Sequence, residues 1–345
     1  MKKVMTAIMM GVLVFGGMAL TSPSVLAVGN GPGYGGNENV NTSMLHTYSE
    51  MVDFLEKQET KQKQMALEEI GQTVQGRDIH LVKYMNDPDN PTVLYLAQQH
   101  GNEALNTEGM LNFIKHLGTG KYKDVLDGVN ILLMPMYNAD GAMGDVNFSL
   151  EDYVADGDRH LTRYNANEVD LNRDHIAKEQ PESQALHNNV LSEYDIDYMV
   201  DMHHQGVWSE RDGDLVSGSM LHPTADAVDQ DVLHQSKQLG AVVFDAIEPK
   251  GWGHIGKYQG GTGENIGRNG IAVQYDISTL LLEMRGMADH YYEPYVLGQK
   301  SNGYLIKQAT TALEATANAI ADGSVNDKDV SFWDSLSYQE TRPNE

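Results

Sequence analysis

His100-Gly101-Asn102-Glu103 sets an imidazole and a carboxylate three residues apart, directly after the apolar run Thr92–Ala97. A short turn at a strand end can aim both at one metal ion. That spacing alone is common. A second run, Asp201-Met202-His203, follows the apolar residues 196–200 and supplies a second imidazole. Two nitrogens and one carboxylate, from His100, Glu103 and His203, are a usual protein set for a catalytic zinc that keeps a fourth position open. Side chains alternate faces along a strand, so only one of His203 and His204 can face the metal. His203 completes the D-x-H pattern, which leaves His204 to line the pocket or support a ligand.

A zinc hydrolase also needs a base, a stabiliser for oxyanion charge and a grip on its substrate. Glu283 closes the apolar run Leu280-Leu281-Leu282, where an unpaired carboxylate is costly to bury. Arg163 and the pair Asn172-Arg173 lie between Asp140-Gly141 and Pro181. Arginine's planar fork suits bidentate binding of a carboxylate. Taken singly, each of these charges is as easily a solvated surface group.

The elements that must position these residues read as alternating strands and helices. Strands are expected at 79–84, 92–97, 129–134, 196–202, 271–275 and 280–284, with a turn at 86–90. Helices are expected at 48–57, 103–117, 182–191, 230–247 and 302–320. In 103–117, Met110, Phe113, Ile114 and Leu117 form one apolar face and Gly118 can end it. The alternation predicts an α/β fold, with a mixed, mostly parallel twisted sheet of about eight strands flanked by helices on both faces. Sites in such sheets gather at the carboxyl ends of strands, and His100, His203 and Glu283 all fall there.

Residues 1–27 read as an export signal: Lys2-Lys3, an apolar stretch, then Val25-Leu26-Ala27 as a small-residue cleavage site. Residues 28–46, rich in Gly and Asn, read as a flexible leader, 47–322 as one catalytic domain and 323–345 as a C-terminal tail or a surface-packed strap. A secreted protein is expected. It has no cysteine, which excludes thiolate ligands, a cysteine nucleophile and disulfides. The 24 Lys and Arg against 49 Asp and Glu give a formal charge of −25. That surface argues against nucleic acid and anionic membranes as partners.

Together these residues resemble the zinc metallocarboxypeptidases of the carboxypeptidase A/B type. The resemblance runs from Ile70-Gly71-Gln72-Thr73-Val74-Gln75-Gly76-Arg77 to about Ile320. The family's H-x-x-E matches His100 and Glu103. Its N-P-D-G appears as Asn138-Ala139-Asp140-Gly141. Its R-x-N and V-D-L-N-R-N match Arg163-Tyr164-Asn165 and Val169-Asp170-Leu171-Asn172-Arg173-Asp174. Its D-x-H ligand matches His203, its E-x-R base Glu283, and its mobile tyrosine Tyr258. Each element is weak alone; the ordered set is specific.

The resemblance implies one zinc ion per chain, held by His100, Glu103 and His203. It implies Glu283 as the base that activates water and later protonates the leaving amine, and Arg163 as the oxyanion partner. Asn172 and Arg173 would bind a terminal carboxylate, with Tyr258 closing over it. The implied substrates are peptide or protein C-termini, and the enzyme is expected to be a monomer. Ala139, Asn102, Glu168 and Asp174 stand where many relatives have proline, arginine, glycine and asparagine. Those departures touch subsite detail more than chemistry. Specificity should be set between Tyr258 and Glu283, where Glu264, Asn265 and Arg268 are candidates. The favoured expectation is that the Glu264 and Arg268 charges face solvent or pair with each other.

Aspartoacylase and succinylglutamate desuccinylase relatives share H-G-N-E, D-L-N-R and D-L-H patterns, so an amidohydrolase is the nearest rival reading. A peptidoglycan stem-peptide hydrolase is a variant of the first, and a non-enzymatic zinc or peptide binder is a third.

Overall fold

The computed structural model describes residues 45–143, 163–206, 209–286, 288–289, 296–297 and 302–341. The expected export signal lies outside them, as does the leader up to residue 44. The two leader residues that are described depart from a flexible segment. Leu45 is buried in the core, and His46 donates its backbone N–H to Glu108 at 2.6 Å.

Eight strands form the main sheet: β1 (Ala66–Gln72), β2 (Asp78–Tyr84), β3 (Thr92–Ala97), β4 (Asn130–Met134), β5 (Tyr198–Gln205), β8 (Gly218–Leu221), β9 (Ile255–Lys257) and β10 (Ser278–Arg285). Two short strands, β6 (Ser209–Arg211) and β7 (Asp214–Leu215), stand in a separate ribbon. The spatial order of the main sheet is β1-β2-β4-β3-β5-β10-β8-β9. The centre, β4-β3-β5-β10, is parallel. The pairs β1-β2, β2-β4 and β10-β8 are antiparallel, and β8-β9 is parallel. The expected mixed α/β sheet is thus present.

Its central strands carry apolar residues on both faces because both faces are covered. On β3, Val93 and Tyr95 join one buried cluster while Leu94 and Leu96 join the other. The first cluster packs under α2 (Ala104–Leu117), α3 (Lys123–Gly128), α6 (Gln230–Ile247) and α8 (Asn302–Ala321). The second packs under α5 (Pro181–Leu186) and α7 (Gly267–Tyr275). The remaining helices among the described residues are α1 (Tyr48–Lys61), α4 (Ala139–Met143) and α9 (Phe332–Ser335).

Two local readings differ from expectation. Residues 271–275 are not a strand; they are the second half of α7, which ends at Asp276 with φ 55°. A run of five residues, Ile-Ala-Val-Gln-Tyr, is too short to show a period, and the polar first turn that makes it helical is itself buried. The expected helix 182–191 is α5, with Pro181 in its first turn, followed by a π-helical turn at His187–Leu191. That turn places His187 inside the core.

Residues 323–341 lie against the domain. Trp333 is 1 % exposed, and its indole N–H donates to the Lys237 carbonyl at 2.9 Å. A Cβ on Gly240 of α6 would stand 2.3 Å from the indole ring, so glycine makes room for it. Beyond Trp333, the chain bonds Lys257 N to Ser337 O and Gln339 N to Lys257 O. It ends in a two-residue strand, Glu340–Thr341, paired with β6. Truncating Trp333 to Ala should cost about 3–5 kcal/mol, read as a lowered urea midpoint with unchanged slope. A loss below about 1 kcal/mol would mean that the strap is not part of the cooperative core.

Candidate active site

His100 and Glu103 follow β3, and the chain reaches them through Gln98, whose φ is 54°. His203 projects from β5. The three side chains are buried and their ligating atoms lie within 4.8 Å of one another. His100 Nδ1 is 2.7 Å from Glu103 Oε1 and 3.1 Å from His203 Nδ1, and His203 Nδ1 is 2.9 Å from Glu103 Oε2. Zinc bonds of roughly 2.0–2.1 Å at tetrahedral angles put neighbouring ligand atoms roughly 3.3 Å apart. The three atoms therefore surround a point at close to the spacing zinc requires. Both Glu103 oxygens thus face histidine nitrogens from a side chain that is 3 % exposed. The donor set fits zinc.

The outward nitrogen of each ring is held by a carboxylate. His100 Nε2 lies 3.1 Å from Asp170 Oδ1, and His203 Nε2 lies 2.9 Å from Asp201 Oδ1. These contacts assign the N–H to Nε2 and leave Nδ1 to coordinate, which is how outer carboxylates orient metal-binding histidines. Asp201 precedes His203 by two residues, so both point from one face of β5.

Asp170 is a hub. Its Oδ1 also accepts the Asn172 N–H at 2.9 Å, and its Oδ2 accepts from Arg163 at 2.8 Å. Burial would raise the Asp170 carboxyl, but His100 and then Arg163 and Arg173 hold it well below the usual carboxylate range. Sequence reasoning did not give Asp170 and Asp201 these roles. The D-x-H spacing carried the signal for Asp201; nothing local carries it for Asp170, which is 70 residues from its histidine.

Asp201 also anchors a buried polar chain. Gln99 Nε2 donates to Asp201 Oδ1 at 2.8 Å, and Gln99 Oε1 lies 2.8 Å from His175 Nε2. His175 Nδ1 meets His187 Nε2 at 3.1 Å, and His187 Nδ1 meets the Tyr275 hydroxyl at 2.8 Å. Burial lowers His175 to about 4 and His187 to about 3, so both rings are neutral.

Glu283 stands on β10 directly beside His203 in the parallel register of β5 and β10. It is 6 % exposed, and its Oε2 is buried without a hydrogen-bond partner. Burial pushes the carboxyl up to about 7 against the pull of His203. Arg163 Nη1 lies 3.1 Å from His100 Nδ1, which brings its charge to the ligand set. Asn172 accepts the Gly267 N–H on Oδ1 at 2.7 Å, which fixes the amide with its NH₂ left to donate. Arg173 is exposed, and its Nη1 reaches only the Asn172 carbonyl, at 2.8 Å, among the described residues. Tyr258 follows β9; the Glu283 charge, then burial, raises its hydroxyl far above the usual range. All eight expected site residues thus belong to one region of the sheet's carboxyl edge.

His204 pairs with Met284 rather than Glu283 and points from the opposite face, with its Nε2 buried and unpartnered. The expectation for Arg268 is overturned. Arg268 is 2 % exposed and its Nη2 donates to Thr224 Oγ1 and to the Gly261 carbonyl, while Glu264 and Asn265 are exposed. Arg268 lies in the first turn of α7, which the strand reading of 271–275 concealed. Among the departures, Glu168 takes φ 59°, the left-handed backbone that glycine adopts freely. Asp174 accepts the N–H groups of Glu179 and Gln180. The stretch near Gly76 is tied to Asp140, which accepts from Thr73, Gln75 and Arg77.

Residues 51–210 match the family model of zinc carboxypeptidases. A zinc carboxypeptidase of Saccharothrix mutabilis subsp. capreolus is 30% identical over 111 residues, which are 29% of this chain and 26% of that protein. Carboxypeptidase D of Anas platyrhynchos is 29% identical over 141 residues, 37% of this chain and 10% of that protein. The alignments thus span about a quarter or less of these relatives. A metallo-carboxypeptidase structure from Burkholderia cenocepacia superposes with a TM-score of 0.61 at 18% identity, covering 81% of this chain and 70% of that one. One from Pseudomonas aeruginosa, in complex with (2-guanidinoethylmercapto)succinic acid, gives 0.60 at 19%, covering 80% and 69%. At those identities the superpositions speak for the fold.

Proposed function

We propose that this chain, which matches the zinc carboxypeptidase family model over residues 51–210, removes single residues from the free C-termini of peptides, using one zinc ion. The observation that carries this reading is the register of β5 and β10. It sets Glu283, a buried carboxyl with an unpartnered oxygen, beside a ligand of the His100–Glu103–His203 set. Bound zinc would supply a Lewis acid that activates water and polarises the scissile carbonyl. Glu283 takes the proton from the attacking water and returns it to the leaving amine. Arg163 supports the negative charge that develops on the carbonyl oxygen. Asn172 and Arg173 hold the terminal carboxylate with donated hydrogen bonds, and Tyr258 covers it. Export by residues 1–27 and a monomeric enzyme complete the reading. Among the described residues no helix is long and apolar enough to cross a membrane.

The test is mass spectrometry of free-ended peptides beside their amidated twins, with 1,10-phenanthroline controls. Loss of single residues from free ends only, stopped by the chelator, is the expected result. Cleavage of N-acyl amino acids or internal cuts in its place would overturn the reading.

A further inference from the structure

The chemistry proposed above gives no role to Gln99, His175 and His187, which are all 0 % exposed. Burying an amide and two imidazoles costs free energy that apolar side chains would not. The three join end to end between Asp201, the partner of the ligand His203, and the half-buried Tyr275 at the end of α7. The direction of every bond follows from the inner end. An ionised carboxylate can only accept, so the Gln99 group 2.8 Å from Asp201 Oδ1 is the NH₂, and the amide oxygen faces His175 Nε2. That oxygen also only accepts, so His175 carries its proton on Nε2. Burial keeps both rings neutral, with one donor and one acceptor each. The bare His175 Nδ1 must then accept from His187 Nε2 at 3.1 Å, and the bare His187 Nδ1 from the Tyr275 hydroxyl at 2.8 Å. Lys178 Nζ donates to the Tyr275 oxygen at 3.4 Å. All the donors point one way, from the surface toward Asp201.

The backbone is shaped around this chain. His187 opens the π-helical turn, and its carbonyl accepts from Ser192 N and from Ser192 Oγ at 2.7 Å. Gln274 Nε2 donates to the His175 carbonyl at 3.1 Å. A Cβ on Gly267 would stand 3.0 Å from His175 Nε2 and 3.1 Å from Gln99 Nε2, so glycine lets the start of α7 press on both side chains. At the inner end, Asp201 Oδ2 is buried with no hydrogen-bond partner. Oδ1 alone takes the bonds that orient this carboxylate, from His203 and from Gln99. Among the described residues, Gln99 is thus the one donor that fixes Asp201 apart from the metal ligand itself.

We propose that His175, acting through Gln99, is a positioning residue for the metal site: the chain running inward from Tyr275 holds Asp201 in the orientation that keeps the His203 proton on Nε2 and leaves Nδ1 free for zinc. This rests on the His100–Glu103–His203 set in the reading above and is independent of the substrate. His175 supplies the donor that keeps Gln99 from turning over; reversed, the amide would set its oxygen against Asp201. Aligned hydrogen bonds polarise one another, so loss of an inner link should matter more than loss of an outer one.

The test is zinc affinity of the full chain, by competition with a chromogenic chelator at neutral pH. His175→Phe keeps the bulk of the ring and removes both nitrogens; its Kd for zinc is expected to rise about 10- to 100-fold, the range for losing an outer partner of a metal ligand. His175→Gln can still donate to Gln99 and accept from His187, so it should stay within about threefold of wild type. Tyr275→Phe, at the outer end, should weaken zinc binding less than His175→Phe. Trp333→Ala, which destabilises the fold away from the chain, should keep the wild-type Kd. A merely structural His175 would lower the melting temperature and leave the zinc Kd of folded His175→Phe unchanged, and that result overturns the inference. So does a Gln variant no better than the Phe variant. Should His175→Phe fail to fold, nitrogen NMR of the labelled wild-type imidazoles decides. A protonated Nε2 and a bare Nδ1 are expected on both His175 and His187, and a proton on either Nδ1 reverses the chain and rejects the proposal. If the wild type binds no zinc, the metal reading falls and takes this inference with it; equal zinc binding by wild type and His175→Phe rejects the chain alone.

Discussion

Zinc-loaded Glu283→Gln protein is expected to keep its metal and its fold yet lose about two to four orders of magnitude in kcat/KM, the usual contribution of a positioned acid–base group. The substitution keeps volume and shape and removes only the ability to take a proton. Glu283 is poised for that transfer in two ways. The parallel register fixes it beside His203, and burial in the metal-free protein raises its carboxyl to about 7. Such a group holds a proton weakly enough to give it up near neutrality and strongly enough to take one. Its unpartnered Oε2 has no competing hydrogen bond to break first. Metal content by mass spectrometry beside turnover separates the outcomes. Equal activity in variant and wild type would remove Glu283 from the base role, and loss of zinc with loss of activity would recast it as a ligand-supporting group.

Removal of zinc should abolish turnover and leave a protein whose stability depends on pH in a defined sense. Burial alone would depress His203, but Asp201 and Glu103 outweigh it and hold the ring well above the usual histidine range in the metal-free protein. The metal-free site therefore keeps a proton on His203 near neutral pH. That proton contributes stability fully present below the unfolded histidine value near 6.5, and lost as pH rises through the folded value. Glu103, Asp170 and Asp201 are shifted the other way despite their burial, chiefly by the histidines, so their contribution is lost as pH falls.

Zinc needs the Nδ1 lone pair, so binding must expel the His203 proton, and affinity should rise with pH by up to about tenfold per unit across neutrality. Calorimetry in buffers of different ionisation enthalpy should show about one proton released per zinc. The melting temperatures of zinc-loaded and metal-free protein should draw apart between about pH 6 and 8. A constant gap would show that His203 is already unprotonated without the metal.

How much of this site can be read from the chain depends on sequence distance. His100 and Glu103 share one turn, and Asp201 and His203 share one strand face, so local geometry alone predicts that each pair converges. Glu283 was legible as a carboxylate closing an apolar strand. Its pairing with His203 was not, because strand order in the sheet is not a local property. Asp170 was visible only as part of a motif; what it does depends on His100, Arg163 and Asn172 arriving from other elements. Arg268 was misread for a related reason. Its environment is made by Thr224 and Gly261, on either side of it in the fold but not in its own helix. The alternation of strands and helices was clear enough to give the α/β sheet. Short strands such as β8 and β9, with Gly218 and Gly256 inside them, carry too few side chains to announce themselves.

The strap that follows α8 holds two kinds of attachment of very different strength. At Trp333 a large aromatic ring is sealed beside Gly240. Over residues 337–341 the chain is held by a two-residue strand, backbone bonds to Lys257, polar bonds from Ser219 and Gln259 to Gln339, and the Lys257 ammonium over the Tyr338 ring. Tyr338, which lines a cavity of about 500 Å³ together with Leu221, Thr224 and Tyr258, sits in the weaker half. Opening of this half, without disturbing Trp333, is the low-energy local fluctuation that such a segment permits. The amides of 337–341 should then exchange with solvent far sooner than those of β5 or β10. That cavity wall would breathe on a timescale of its own, while His203 and Glu283, fixed in central strands, keep still.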